Sequence, residues 1–244
     1  MNKKALIFGG SGQDGSYMCK LLLEKKYEII SVTRNLNKKS NHQKIKIEKG
    51  VLRKKINIYK KKEIEKLINS SQCDEIYFFS GQTSPLKSYK QPYNTIISNA
   101  IPVYYILEAI KNSKKRIKFF NASSCEIFAS SKKMKNEKSK MEPSSPYGLS
   151  KLITFYFTKF YREQYKLKCF SSIAFHHESI LRKKNFLIPK IIDAAKKISN
   201  NKKKKLYLGN INNIKDWGWA PEYVNLIYRI MQKNISGDFV IGTG

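Results

Sequence analysis

Tyr147 and Lys151, in the hexapeptide P-Y-G-L-S-K, are four residues apart and share one face if the segment is helical. A lysine beside a phenol favours the phenolate and lowers its pKa. That makes a base able to take a proton from an alcohol whose carbon loses hydride. The pattern Y-x-x-x-K is common by chance, so its neighbours matter. Upstream, the apolar run R-I-K-F-F-N (116–121) leads into A-S-S-C-E, which puts Ser124 and Glu126 just past the end of a candidate strand. A hydroxyl at the C-terminal end of a strand can hydrogen-bond the reacting oxygen of a substrate held there.

A second cluster is H-H-E-S-I-L-R-K-K-N-F (176–186), which holds two of the chain's three histidines. Adjacent histidines on an extended segment point to opposite faces, so His176 and Glu178 share one face and His177 takes the other. No third ligand stands at a recognisable spacing, and the segment does not read as a metal site.

The third chemical feature is G-G-S-G-Q-D-G (9–15), directly after the apolar K-A-L-I-F (4–8) and directly before a helical pattern. Glycines at 9, 12 and 15 let the backbone approach a pyrophosphate, and a helix N-terminus offers free N–H donors. Gly9, Gly12, Gln13, Asp14 and Gly15 are therefore candidate cofactor contacts. The next strand, E-I-I-S-V-T (28–33), ends at Arg34 rather than at an acidic residue. A cation there suits the 2′-phosphate of NADP, where an acid would suit the ribose hydroxyl of NAD.

These residues must be positioned by alternating strands and helices. Expected strands are 4–8, 28–33, 55–59, 74–79, 116–121, 168–175 and 238–244. Expected helices are 14–25, 63–68, 95–112 and 147–166, and after residue 176 the pattern loosens into loops and short elements. Near-continuous apolar strands alternating with helices predict an α/β fold, a Rossmann-like doubly wound parallel sheet covered on both faces. A smaller, partial C-terminal substrate domain is expected beside it.

Composition narrows the class further. With 41% apolar residues the chain can bury a core, and no apolar run is long enough to span a bilayer. The N-terminus lacks the form of a signal peptide, and Cys19, Cys73, Cys125 and Cys169 form no C-x-x-C pair, so a reduced, cytoplasmic setting is expected. The net charge of +30 comes almost wholly from lysine, in runs at 53–62, 132–140 and 202–205. Nucleic-acid readers lean on arginine for bidentate contacts, so the charge reads as a solvated surface and nucleic acid is not the expected partner.

The glycine turn, strand-end serine and Y-x-x-x-K, in this order, resemble the extended short-chain dehydrogenases/reductases that act on nucleotide sugars. Within them G-Q-D-G-S-Y, E-I-Y-F-F-S-G-Q-T-S, S-S-C-E-I-F, S-P-Y-G-L-S-K, H-H-E-S and L-G-N…K-D-W-G are similar to the GDP-mannose 4,6-dehydratase family. The similarity runs from about residue 3 to the last residue. It implies that Ser124 polarises the C4 oxygen and Tyr147 takes the C4 hydroxyl proton. Lys151 would hold the ribose and tune Tyr147, and Glu126 would remove the C5 proton and assist loss of the C6 hydroxyl. NADP would contact the glycine turn, Arg34, Asn57, Ile58, Phe79, Gly81, Gln82, Thr83, Tyr147, Lys151, His177 and Arg182. The sugar nucleotide, GDP-mannose, would contact Ser84, His176, Glu178 and Asn185. A homo-oligomer without membrane attachment is implied as well.

Departures from the family pattern are Asn35 for a second arginine, Asn57 for an aspartate and His176 for an asparagine. Ile180 and Lys183 stand for a proline and a glycine, and Trp219 for a histidine. Family members continue past the position of Gly244. The expected division is therefore an NADP-binding domain with the catalytic residues over 1–175, and a partial nucleotide-sugar region, interleaved with it, over 176–244. The competing readings are a decarboxylase or epimerase on the same scaffold, and a non-catalytic nucleotide- or RNA-binding protein.

Overall fold

The computed structural model describes residues 2–37, 39–129, 133–201, 205–233 and 235–244. Lys132 and the lysines at 202–204, which belong to two of the basic runs, lie outside the described residues. A seven-stranded parallel sheet is built from β1 (Lys4–Phe8), β2 (Glu28–Thr33), β3 (Val51–Lys55), β4 (Glu75–Phe78), β5 (Lys118–Ala122), β6 (Cys169–Ala174) and, late in the chain, β9 (Asp238–Ile241). Its order is β3-β2-β1-β4-β5-β6-β9. The chain winds outward from β1 to β3, then returns to place β4 on the other side of β1. The order reverses between β1 and β4, and a crevice opens there beyond the carboxyl ends of the strands, where ligands bind in such sheets.

Alternation along each strand feeds two cores. Leu6 and Phe8 face one side, with Ile64 and Leu67 of α3 (Lys61–Ser71), Val103 and Ile106 of α5 (Pro92–Lys111) and Tyr161 of α6 (Pro146–Gln164). Ala5 and Ile7 face the other, with Met18 and Leu22 of α1 (Gln13–Glu24) and Val224, Ile227 and Met231 of α8 (Ala220–Gln232). Both faces are covered, which is why the strands read as unbroken apolar runs. Cys19, Cys73 and Cys169 are buried free thiols within this packing.

Two expectations are corrected. The third strand is Val51–Lys55, registered with Ile29–Thr33 of β2, and not 55–59. Ile56 and Ile58 are buried as a strand pattern predicts. Between and after them the chain turns: the Asn57 side-chain oxygen accepts the Tyr59 N–H and the Asn57 carbonyl accepts the Lys60 N–H. A local Asx turn thus replaces ladder hydrogen bonds.

The region after residue 176 is more regular than expected. It holds α7 (Leu187–Ser199) and α8, each of 13 residues. A two-stranded parallel sheet pairs β7 (His176–Glu178) with β8 (Trp217–Trp219). The chain then re-enters the main sheet, where β9 pairs with β6 from Ser171↔Asp238 to Ala174↔Ile241. Among the described residues no helix is long and apolar enough to cross a membrane.

Candidate active site

The cofactor end of the site is built by the turn from β1 into α1. Gly9 has φ +82°, and an added Cβ would lie 2.8 Å from the backbone of Phe79 and Ser80, so β1 and β4 approach here as only glycine allows. At Gly15 a Cβ would stand 2.4 Å from the Gly9 carbonyl oxygen. The N-cap of α1 is Gly12, which provides no side-chain cap, and the first turn of the helix, Gln13 to Gly15, lines the cleft. At Gly12 an added Cβ would meet only the Gly9 carbonyl oxygen, at 3.1 Å, and the space it would take belongs to the cleft. This cradle fits a pyrophosphate. The cleft here holds about 400 Å³, and Arg34, Ile58, Phe79, Gly81, Thr83 and Arg182 line it.

The catalytic end is set by β5 and α6. Ser145 caps α6 by accepting the Gly148 N–H, and Pro146 occupies the first turn, which starts the helix at the point that carries Tyr147. Lys151 follows one turn later on the same face, and its Nζ donates to the Ala122 carbonyl at 2.8 Å. Ser124 begins the short turn Cys125–Ile127 and accepts the Glu126 N–H at 3.3 Å. Ser124, Glu126, Tyr147, Lys151, His176, His177 and Glu178 line one cavity of about 260 Å³. Asp14, Phe79, Thr83, Arg182 and Phe186 border both this cavity and the glycine cleft, so the two form one groove.

Electrostatics at Tyr147 differ from the simple expectation for Y-x-x-x-K. Burial pushes the phenol well above its ordinary value, and the Ser124 hydrogen bond and Arg182 only partly offset burial and the Glu126 charge. Lys151 is tied to Ala122 and lies 5.9 Å from the Tyr147 ring centroid, and burial lowers its own pKa to about 8. The lysine is on the right face, but its charge is not what dominates the phenol.

The two histidines diverge as strand alternation requires. His177 Nε2 lies 3.1 Å from Asp14 Oδ2, and its Nδ1 lies 2.7 Å from the Phe175 carbonyl oxygen. Both ring nitrogens face acceptors, which calls for the imidazolium. Burial opposes that charge, but Asp14 outweighs it and raises the pKa. Burial likewise opposes the Asp14 anion, and His177 with Gln13 overcomes it, bringing Asp14 to about 2. Gln13 also donates to the His177 carbonyl and accepts from Ser179, so the 177–179 segment is pinned to the start of α1. Glu178 Oε2 stands 3.3 Å from Arg182 Nε, an ionic contact without hydrogen-bond alignment, and Arg182 lies over the Phe186 ring at 3.9 Å. On the opposite face His176 Nε2 approaches Glu126 Oε1 at 3.6 Å.

Other expected residues lie apart from the groove lining. Asn57 is exposed, with its side-chain oxygen engaged by Tyr59; Gln82 is spent on the Ser84 backbone and Thr95; Ser84 caps α4 (Pro85–Lys90); Asn185 is exposed. The sequence reading missed Lys215, which reaches Glu126 Oε1 at 3.8 Å, and Asp216, which accepts from the Tyr223 hydroxyl and the Thr243 N–H. Both belong to the K-D-W-G motif, the one signal that singled them out. His42 was missed too: it is fully buried beneath the glycine turn, with Nε2 2.8 Å from the Gly10 carbonyl oxygen.

Comparison with known proteins places this architecture. A UDP-N-acetylglucosamine 4-epimerase of Methanobrevibacter ruminantium M1 superposes with a TM-score of 0.86 at 19% identity, covering 100% of this chain and 77% of that one. A double mutant of the dTDP-glucose 4,6-dehydratase of Streptomyces venezuelae, solved with NAD bound, superposes with a TM-score of 0.86 at 18% identity, covering 98% and 76%. These likenesses establish the fold. In sequence, the GDP-mannose 4,6-dehydratase of Vibrio cholerae serotype O1 is 32% identical over 100% of this chain and 68% of its own length. That of Sinorhizobium fredii is 33% identical over 99% and 72%. The sequence profile of the family described as GDP-mannose 4,6 dehydratase matches residues 6–244, and the chain therefore belongs to that family.

Proposed function

We propose that this chain is an NADP-dependent nucleotide-sugar 4,6-dehydratase that converts GDP-mannose to GDP-4-keto-6-deoxymannose. The observation that carries this reading is Glu126, lining the same cavity as Ser124, Tyr147 and Lys151 at the end of the glycine cleft. Chemistry confined to C4 needs a hydroxyl donor and a phenol, and a third group able to carry a proton serves the carbons beyond it. Ser124 hydrogen-bonds the C4 oxygen, and Tyr147 takes the C4 hydroxyl proton. A bound nicotinamide would, when oxidised, accept the hydride from C4 and bring a cationic ring that favours the phenolate, and, once reduced, would return that hydride to C6. Oxidation at C4 acidifies the C5 hydrogen. Glu126 removes that proton and delivers it to the C6 hydroxyl, which departs as water while the C5–H electron pair forms the C5–C6 double bond; the 6-deoxy product then requires the hydride at C6 and a proton at C5, balanced by the proton Tyr147 took from the C4 hydroxyl.

Arg34 at the cleft rim supports the choice of NADP, since its guanidinium suits a 2′-phosphate. The family relationship supports the sugar nucleotide. Folded protein incubated with GDP-mannose and NADP is expected to form a 4-keto product that absorbs in alkali, and Glu126→Gln is expected to abolish it. No product from GDP-mannose rejects this substrate. No loss of the C6 oxygen across a panel of GDP-, UDP- and dTDP-sugars rejects dehydration in favour of an epimerase or decarboxylase.

A further inference from the structure

Glu126 is met by two cationic or ionisable side chains from distant parts of the chain. Lys215 Nζ lies 3.8 Å from Glu126 Oε1 and 3.1 Å from His176 Nε2, and His176 Nε2 lies 3.6 Å from the same carboxylate oxygen. Only the Lys215–His176 contact has hydrogen-bond length, and an ammonium can only donate, so Nε2 accepts. The imidazole is itself held. Its backbone is in register with Trp217 across β7 and β8, its ring packs 5.2 Å from the Trp217 ring, and Nδ1 stands 3.9 Å from Cys125 Sγ. Tyr147 from α6, Cys125 from the same turn and Glu178 from β7 also face this cluster, and Lys151, His177, Arg182 and Asp14 line the same cavity.

We propose that His176 is a positioning residue that clamps the Lys215 ammonium onto Glu126 Oε1, so that the carboxyl stays ionised and offers Oε2 to the substrate. This rests on reading Glu126 as the C5 base. The solvent side of the cluster is Lys215, whose side chain is 34% exposed against 23% for Glu126. An unclamped lysine would be free to leave for water.

The test compares wild type with His176→Phe, which keeps a ring against Trp217 but has no acceptor, Lys215→Met, and His176→Gln, whose amide oxygen can take the Lys215 hydrogen bond. The acid limb of the kcat/KM profile is expected to move up by about one pH unit in the Phe and Met variants, the low end for a cation near a carboxylate. kcat should fall while KM for GDP-mannose stays within about twofold, because the clamp acts on the base and not on uniform binding. His176→Gln should return the limb toward wild type. An acid limb that stays in place in both the Phe and Met variants overturns the proposal.

A second readout does not depend on turnover: the Glu126 carboxyl carbon is titrated by 13C NMR in substrate-free protein, assigned by its loss in Glu126→Gln. Movement of that titration in His176→Phe and Lys215→Met, in a protein that dehydrates no sugar nucleotide, upholds the clamp and removes the catalytic reading. No movement in either variant, in an active enzyme, does the reverse.

Discussion

Replacing His177 by glutamine tests the ion pair that joins the glycine turn to the segment after β6. Asp14 stands at about 2 against an ordinary value of 3.8. That difference of nearly two pH units, at about 1.36 kcal/mol each, is on the order of 2 kcal/mol of folding free energy. The side chains of the pair are only 25% and 16% exposed, so solvent screening removes little of it. Gln13 and Arg182 keep their shares in the variant, which leaves a loss of about 2 kcal/mol and about 4–8 °C in Tm for a chain of this size.

The pH dependence has two edges with opposite signs. The depressed Asp14 carboxyl contributes stability above its unfolded value of about 4 that is lost as pH falls through about 2. The raised His177 imidazole contributes stability below its unfolded value of about 6.5 that is lost as pH rises through its higher folded value. The gap between wild type and His177→Gln should therefore be widest between about pH 4 and 6.5 and narrow on both sides. Urea unfolding at constant ionic strength, followed near pH 5.5 and near pH 9.5, measures it. A gap of equal size at both pH values would refute the ionic account and leave the stacking of His177 on Tyr223, at 4.5 Å between ring centroids, as what the substitution removes.

Three further outcomes are expected. Tyr147→Phe should lower turnover by about 10²–10⁴ with cofactor affinity retained; an equal loss of affinity would mark the hydroxyl as structural. Gly9→Ala should cost more than about 1 kcal/mol in denaturant melts, since φ +82° and a 2.8 Å approach to backbone leave no room for a Cβ. It should also weaken cofactor binding in a direct titration, and unchanged binding would separate this turn from the cofactor. Arg34→Ala should weaken NADP more than NAD by about tenfold, roughly one charge-assisted contact to a phosphate, and equal weakening would remove Arg34 from 2′-phosphate recognition.

What could be read from the sequence was local. The glycine turn declared itself because its residues are contiguous and flanked by a strand and a helix. Tyr147 and Lys151 share a face because four residues make about one helical turn. The alternation of runs set the parallel sheet, and the divergence of His176 and His177 followed from the pleat of an extended chain. Where local chemistry competes with periodicity the reading failed: the buried Ile56 and Ile58 look like a strand, but Asn57 closes an Asx turn between them. α8 was not expected, although Tyr223, Val224, Ile227 and Met231 stand at helical spacing, and it became part of the core only through packing on α1 and the sheet.

Only the tertiary structure could bring Lys215 to Glu126 across 89 positions of chain, or set Asp14 against His177. Those contacts depend on β7 pairing with β8 and on the crossover that puts both beside the mouth of the crevice. The same holds for the charge states. Residue types name which groups can ionise, but burial and partners choose the form. Burial outweighs the Ser124 hydrogen bond and Arg182 at Tyr147, whereas partners outweigh burial at Asp14 and Glu126. Sequence determined which chemistry is available here, because side-chain identity and local spacing carry it. The fold decided which groups meet and in what protonation state, because desolvation and distance exist only once the chain has packed.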